Sequence, residues 1–383
     1  MIKTIIISTD INRRMNNNQS PEISIILPCR NEEAALSRCL EQIKAVISQY
    51  RLNAEIIVSD SSSDRSPQIA LQAGVILVKH DQPGYGRAYL EGLKVAKGKY
   101  IFMADSDGTY DFKEIPSFIE YLKVGDCDLA IGNRFSGRIE KGAMPWIHQY
   151  FGSPVLSLVF RTFFHTAIHD IHCGLRAISQ TALRRLNLKT TGMEFASEMV
   201  VSAAVKKIKI KELPIDYYRR MGKSKLKTFR DGWRHLRFML MYAPDYLFLI
   251  PGFLFLAAGL FLFLFLENHP VYGCFLIILG YQIISLAVFT KTYIQSIGFV
   301  ESDWLVNWLA KFIKFETGIF LGLIFLLLSF LISQKLIFDL IATILGVSAS
   351  SVIMLSLTIA IIGIQTMFSA FLISLMLIEK DRK

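Results

Sequence analysis

From Ile23 onward, short apolar runs alternate with segments whose apolar residues recur at helical spacing. Ile23–Pro28, Ala54–Asp60, Val75–His80, Tyr100–Asp105 and Leu129–Asn133 are short apolar runs bounded by turn residues, a pattern that predicts strands. Between them, Glu32–Tyr50 carries Ala35, Leu40, Ile43 and Ile47 at helical spacing. Pro67–Ala73, Arg87–Ala96 and Ile115–Val124 also read as helices. Such alternation predicts an α/β fold with a mostly parallel sheet covered on both faces. Residues 135–241 are less regular. There, Glu194–Val205 reads as a helix and Lys209–Tyr218 as a strand. Leu226–Met241 reads as a helix with Phe229, Trp233, Leu236 and Leu240 on one face and Arg230, Arg234 and Arg237 on another. Four uncharged stretches follow: Tyr246–Leu266, Val271–Thr290, Thr317–Gln334 and Ser351–Ile378. Each is near the roughly 20 residues that cross a bilayer. The expected organisation is a flexible tail over 1–20, a catalytic domain over 21–225, a basic interfacial helix over 226–243 and a membrane domain of about four helices over 244–383.

Composition adds a charge asymmetry to this picture. The 383 residues carry a net charge of +10. Beyond residue 242 there are seven Lys/Arg and eight Asp/Glu, which leaves 35 basic and 24 acidic residues before it. A basic soluble part beside a membrane points to anionic lipid, phosphate substrates or both. No basic and aromatic interleaving supports a nucleic acid partner. The five cysteines are scattered without a CxxC pair, which fits a reducing cytoplasm rather than a disulfide framework or structural zinc. Ile5–Ile7 is too short for a signal peptide's apolar region. Lys291, Lys311 and Lys314 lie between the second and third spans, and Lys380, Arg382 and Lys383 end the chain. By the positive-inside rule both termini and the soluble domain face the cytoplasm. The segment holding Asp303, Trp304 and Trp308 suits an interfacial helix. A homo-oligomer is compatible with the sequence, which leaves the oligomeric state open.

The candidate chemistry centres on Asp105-Ser106-Asp107-Gly108-Thr109-Tyr110-Asp111, where the apolar run Tyr100–Ala104 opens into a loop. Residues i and i+2 of an extended chain point the same way. Like-facing carboxylates repel unless a cation lies between them, and Mg²⁺ or Mn²⁺ takes oxygen ligands shared with substrate phosphates. An Asp-rich turn is the competing reading. The other strand ends decide between them. Pro28-Cys29-Arg30-Asn31-Glu32, Asp60-Ser61-Ser62-Ser63-Asp64 and Gly132-Asn133-Arg134 also follow strands, and α/β sheets bind ligands at that edge. Gly84-Tyr85-Gly86 is not a dinucleotide fingerprint, because no glycine follows the first strand. It reads as a nucleotide-capping loop or a helix start.

Residues 23–225 resemble a family 2 glycosyltransferase of the Rossmann-like GT-A fold. The resemblance is to the branch of dolichol-phosphate mannose synthase and its bacterial polyprenyl-phosphate relatives. It rests on Pro28-x-Arg30-Asn31-Glu32, Asp60-x-Ser62-x-Asp64, Asp105-x-Asp107, Gly132-Asn133-Arg134 and Arg219-x-x-Gly222-x-Ser224-Lys225, in that order. It implies inverting transfer of a hexose from a nucleotide sugar to a polyprenyl or dolichyl phosphate at the cytoplasmic membrane face. Pro28, Arg30, Asn31, Glu32, Asp60, Ser62 and Ser106 would hold the nucleotide sugar, and Asp105 and Asp107 a divalent metal. Asp107, Arg134 and Arg219 form the expected catalytic set, with Arg176, Ser224 and Lys225 on phosphate or acceptor. UDP-glucose is the first choice of donor, with GDP-mannose or a UDP-N-acetylhexosamine behind it. Ser59 before Asp60 and Thr109 after Asp107 depart from the family pattern. His165, His169, His172 and Cys173 gather around Asp170, without zinc-finger spacing. Asp170–Arg176 resembles the family's acceptor loop, while Glu194 and Glu198 read as structural or substrate-orienting. Two rivals are a processive polysaccharide synthase, which lacks its Gln-x-x-Arg-Trp here, and a non-enzymatic membrane scaffold.

Overall fold

The computed structural model describes residues 5–7, 20–222, 228–266, 269–300, 302–312, 315–345 and 348–380. Contacts divide the chain into two compact units, Met1–Met239 and Leu240–Lys383.

The first unit is built on eight strands: β1 (Ile5–Ile7), β2 (Ile23–Cys29), β3 (Ala54–Asp60), β4 (Ile76–Lys79), β5 (Tyr100–Met103), β6 (Leu129–Asn133), β7 (Arg176–Ser179) and β8 (Ile210–Pro214). They lie in the order β1-β4-β3-β2-β5-β7-β6-β8. β4, β3, β2 and β5 are mutually parallel. Ile23, Ile25, Ile26 and Leu27 of β2 and all of β5 are buried, which is why these strands read as unbroken apolar runs. Full burial of each such side chain stabilises the fold by about 1.5–3 kcal/mol. The helix α1 (Leu36–Gln49) buries Leu36, Cys39, Leu40, Ile43 and Val46, a stripe at three- and four-residue steps. α2 (Ser66–Gln72), α3 (Tyr85–Leu93) and α4 (Ile115–Val124) complete the crossovers. After β6 come α5 (Ser153–Phe164), α6 (Gln180–Leu186) and α7 (Phe195–Val205). Every residue of α7 from Phe195 to Ala203 is buried, so it is a central helix without a solvent face.

Two expectations change. β7 was not expected: it runs antiparallel to both β5 and β6 and separates them. Residues 1–20 were expected to form a tail, yet Ile5–Ile7 pairs antiparallel with β4. The amphipathic helix, α8 (Thr228–Met241), packs through a face other than its aromatic one. Asp231, His235, Phe238 and Met239 are buried, whereas Phe229 and Trp233 are exposed.

The second unit consists of α9 (Ile250–Phe265), entered through a π-helical turn at Asp245–Leu249, then α10 (Pro270–Ser296), α11 (Trp304–Phe312), α12 (Phe315–Ser333), α13 (Lys335–Leu345) and α14 (Ala349–Lys380). Among the described residues, four helices are long and apolar enough to cross a membrane: Asp245–Phe265, Pro270–Ser296, Phe315–Ser333 and Ala349–Leu377. The chain is an integral membrane protein. α11 coincides with the expected helix near Trp304, while α13 was not foreseen. Lys291 near the end of α10 is buried and paired with Asp245 at 2.7 Å and Asp303 at 2.9 Å.

Glycines set the closeness of α9 and α10. Gly252 faces Gly280, and Gly259 faces Gly273. A Cβ on Gly273 would stand 2.8 Å from Phe263 N and 3.0 Å from Gly259 O. Small residues allow such backbone approach in membrane helices. Gly273→Leu is therefore expected to separate the pair and lower the melting temperature in detergent by several degrees. Leu264→Ala, at an exposed position, should change it little.

Candidate active site

The acidic pair sits where the buried run of β5 ends. Asp107 is 2 % exposed. Its Oδ1 accepts the Thr109 N–H at 3.0 Å and the Thr109 hydroxyl at 2.6 Å. Gly108 between them has φ +82°, a left-handed geometry that glycine adopts without strain. Oδ2 accepts Arg220 Nε at 2.7 Å, and Arg220 Nη2 reaches the same oxygen. The loop after β8 is fastened to the acidic loop by two backbone bonds, Tyr218 N–H to Thr109 O and Met221 N–H to Asp107 O, both 3.0 Å. Thr109, where the family pattern was expected to lapse, thus orients the second aspartate.

Asp105 is half-buried. Burial first, and the Asp107 charge second, push its carboxyl up to about 7, against the pull of Arg220, a hydrogen bond with Tyr85 and the charge of Arg134. Gly174 approaches so closely that a Cβ there would stand 2.6 Å from Asp105 Oδ2. Two hard oxygen donors with this much unbalanced charge fit a divalent cation. Asp107 Oδ2 already recruits a cationic group, the Arg220 guanidinium.

The loops after β2 and β3 are laced together on the next strands of the same edge. Asn31 adopts φ +54°. Its N–H donates to Ser62 Oγ at 2.7 Å, and its Oδ1 accepts the Ser63 N–H at 2.8 Å. Glu32 N–H donates to Ser66 Oγ at 3.0 Å and Glu33 N–H to Asp64 at 3.1 Å. Asp60 is fully buried and accepts Ser62 N–H at 3.2 Å and Ser62 O–H at 2.5 Å. Ser106 O–H donates to Pro28 O at 2.7 Å, tying the acidic loop to the first loop. Glu32 is buried with its carboxylate beside Gly222, and Arg30 is exposed.

Several residues expected at the substrate engage partners within the protein. Ser62 and Ser106 are buried and hold loops together. Arg134, expected to be catalytic, forms a two-point pair with buried Asp170, Nε to Oδ2 at 2.7 Å and Nη2 to Oδ1 at 2.8 Å, and lies over the Tyr217 ring. Arg176, expected either on phosphate or in a structural pair with a carboxylate, is 3 % exposed. Its guanidinium donates to the carbonyls of Cys173, Ala196 and Ile171, each at 2.8 Å. Both arginines therefore shape the Asp170–Arg176 loop. Arg219, also expected in the catalytic set, turns to the preceding loop, its Nε donating to Lys141 O at 2.6 Å and its N–H to Glu140 at 2.9 Å. Its neighbour Arg220 takes the place beside Asp107. Ser224 and Lys225 lie outside the described residues. Asp105, Asp107, Pro28, Asn31, Glu32 and Asp60 do come together at one sheet edge, through β3, β2 and β5.

The histidine group does not form a metal set: among the described residues no three metal-ligating side chains converge. His169 bonds Glu212 at 3.2 Å, while His172 packs against His235 with ring centroids 4.5 Å apart. Glu198 is buried and accepts from Lys189 N–H and from Thr190 N–H and O–H, bracing the loop that abuts Gly84 and Gly86. The glycine motif opens α3. It places Tyr85 on Asp105, a partnership that sequence spacing gives no means to find.

The fold and site define an α/β enzyme with membrane-spanning helices, whose carboxylates gather at the carboxyl edge of its parallel strands with Arg220 against them. The sequence matches Glycosyl transferase family 2 over residues 24–186 and the Glycosyltransferase family 2 C-terminal transmembrane region over residues 288–377. It is 35% identical over 369 residues to the Low-salt glycan biosynthesis hexosyltransferase Agl6 of Haloferax volcanii, covering 92% of this chain and 89% of that protein. It is 27% identical over 214 residues to the Dolichyl-phosphate hexose transferase of the same organism, covering 55% of this chain and 89% of that protein. The solved structure of glucosyl-3-phosphoglycerate synthase from Mycobacterium tuberculosis with Mn²⁺, uridine-diphosphate and glucosyl-3-phosphoglycerate aligns at TM-score 0.48 and 18% identity, over 58% of this chain and 80% of that one. The chain belongs to glycosyltransferase family 2, and it is a glycosyltransferase.

Two outcomes follow from the site's electrostatics. The folded protein holds the Asp105 proton more tightly than the unfolded chain does. Stability from this group is therefore lost as pH rises from about 4 through about 7. In metal-free detergent solution, Asp105→Asn should stabilise the protein by about 2 kcal/mol at pH 8, a figure discounted for the group's partial exposure, and not at pH 4.5. Melting temperatures at the two pH values check this. Asp170→Ala, by contrast, leaves Arg134 buried without its carboxylate and should cost about 3–5 kcal/mol, read from the same melting curves near neutral pH.

Proposed function

We propose that this enzyme transfers a hexose, with inversion, from a nucleotide sugar to a polyprenyl phosphate at the cytoplasmic face of the membrane, with UDP-glucose as the preferred donor. The observation that carries this reading is the placement of Asp60, the Arg30–Glu32 loop and Asp105/Asp107 at the ends of β3, β2 and β5, three adjacent parallel strands. A nucleotide lies naturally along such an edge. The named relatives support the transferred group and acceptor class, one being a hexosyltransferase and the other a dolichyl-phosphate hexose transferase.

In this reading Arg30, Glu32 and the lone pairs that Asp60 retains hold the nucleoside. Asp105 and Asp107 would hold Mg²⁺ or Mn²⁺, which when bound neutralises charge on the diphosphate leaving group. Arg220, next to Asp107, is placed to move onto a phosphate, where a guanidinium binds in a forked geometry. A phosphate oxygen of the acceptor attacks the anomeric carbon from the face opposite the nucleoside diphosphate. The new C–O bond forms as the bond to the diphosphate breaks, and its electron pair leaves with the diphosphate. A phosphomonoester is already ionised near neutral pH, with a second pKa of about 6. The protein therefore needs to position it and balance its charge rather than remove a proton.

Purified protein in liposomes with a polyprenyl phosphate and a panel of labelled nucleotide sugars tests the proposal. One donor, UDP-glucose first, should yield a glycolipid. Asp107→Ala should reduce transfer at least 100-fold, and Arg220→Ala at least 10-fold with a raised donor KM. Normal transfer by Asp107→Ala would overturn the site assignment. Glycolipid formed only from a GDP- or N-acetylated donor would overturn the donor choice alone.

A further inference from the structure

The catalytic unit exposes an apolar stripe on a segment that the sequence pattern left irregular. Trp146, Tyr150, Phe151, Val155 and Leu158 are 72%, 67%, 63%, 39% and 54% exposed. Phe151, Val155 and Leu158 are spaced four and three residues apart along the π-helical turn His148–Gly152 and α5, so they share one helix face. The opposite face buries Ser157 and Phe160. Scattered apolar side chains are ordinary on a protein surface, but a contiguous stripe of this size marks an interaction site.

We propose that this stripe is a second membrane-docking surface, seated in the headgroup region of an anionic bilayer beside the aromatic face of α8. Three observations point to lipid rather than to a protein partner. First, the stripe is headed by Trp, Tyr and Phe, residues with an apolar body that suits the bilayer interface. Second, residues 141–169 contain no carboxylate, although Lys141, His148, Arg161, His165 and His169 fall within them. A run of chain this long without a carboxylate complements anionic headgroups, Glu212 on His169 lying at its far end. Third, the helix that carries the stripe is linked through one buried helix to an element that reaches the membrane. α5 packs on α7, and Ser197 of α7 bonds His235 of α8 at 2.7 Å. α8 exposes Phe229 and Trp233 among Arg230, Arg234 and Arg237. It ends at Met241, and the first span begins at Asp245. Chain connectivity alone brings the end of α8 to the bilayer surface, and α5 flanks the same buried helix. The docking stands independently of the donor and acceptor reading.

The test uses full-length protein in phosphatidylethanolamine/phosphatidylglycerol vesicles. The five native cysteines are buried, so single nitroxide labels can be placed at Phe151→Cys, Val155→Cys and, as a water-facing control, Val124→Cys, which is 71% exposed on α4. Power-saturation electron paramagnetic resonance compares accessibility to oxygen and to a nickel chelate. Labels at 151 and 155 should favour oxygen several-fold over the control and move shallower when phosphatidylcholine replaces the anionic lipid. Nickel accessibility equal to that at 124 would overturn the proposal. So would spin–spin broadening that disappears on dilution with unlabelled protein, because a second copy would then be the occupant. Transfer activity enters none of these readouts.

Discussion

The molecule is organised by one electrostatic problem: two carboxylates at the end of a strand buried on both faces. β5 has no solvent-facing side, so whatever follows it leaves the sheet already largely desolvated. Charge in such a place is tolerated only with partners. The partners come from every direction. Arg220 arrives from the loop after β8, Thr109 from the acidic loop itself and Tyr85 from the start of α3. Gly174 leaves room for the Asp105 carboxylate where any side chain would collide. Remove the acidic pair and these glycine, tyrosine and arginine placements lose their common reason.

The parts of this design that follow from side-chain period were legible in the sequence. β2, β3 and β5 are buried enough to show as apolar runs, and the parallel order follows from alternating strands and helices. β7 was not legible. It is four residues long, begins with an arginine, and lies antiparallel between strands that are neighbours in sequence. Its insertion depends on long-range pairing, which no local pattern encodes. The same limit applies to the arginines. Arg219 and Arg220 are adjacent, and side chains of adjacent residues in an extended segment point to opposite sides. The motif located the loop but could not say which guanidinium faces Asp107. For Arg134, the sequence displays a charge and conceals its partner, Asp170, 36 residues away.

The membrane unit repeats this division. Its four spans are visible as length and apolarity. Lys291, however, reads as a loop lysine on the positive side of the membrane, yet it is buried between Asp245 and Asp303. The positive-inside rule counts Lys and Arg and gives little weight to Asp and Glu, so this pairing leaves the expected orientation as it stood. The cluster has another consequence. Asp303 also accepts the N–H groups of Leu305 and Val306 at the start of α11, so one ion pair fixes where that tryptophan-bearing helix begins.

The arginines of the catalytic unit separate into frame and moving part by burial alone. Arg134 and Asp170 are both almost wholly enclosed. Breaking such a pair strands a charge at a cost of about 3–5 kcal/mol, so a ligand has no inexpensive way to recruit Arg134. Arg176 is bound to three carbonyls and is equally committed. Arg220 differs: its side chain is 26% exposed, and it is carried on a loop held to the acidic segment by two backbone bonds. Its partner Asp107 is nearly enclosed, so Arg220 can leave only if another cation takes its place beside that carboxylate. A diphosphate offers the same guanidinium more negative charge than one carboxylate does. In the proposed reaction a donor diphosphate would compete with Asp107 for Arg220, while Asp105 and Asp107 would hold the divalent cation that balances the remaining charge. Exchange of one arginine between carboxylate and phosphate would couple donor arrival to completion of the acidic site, using a contact already present in the structure.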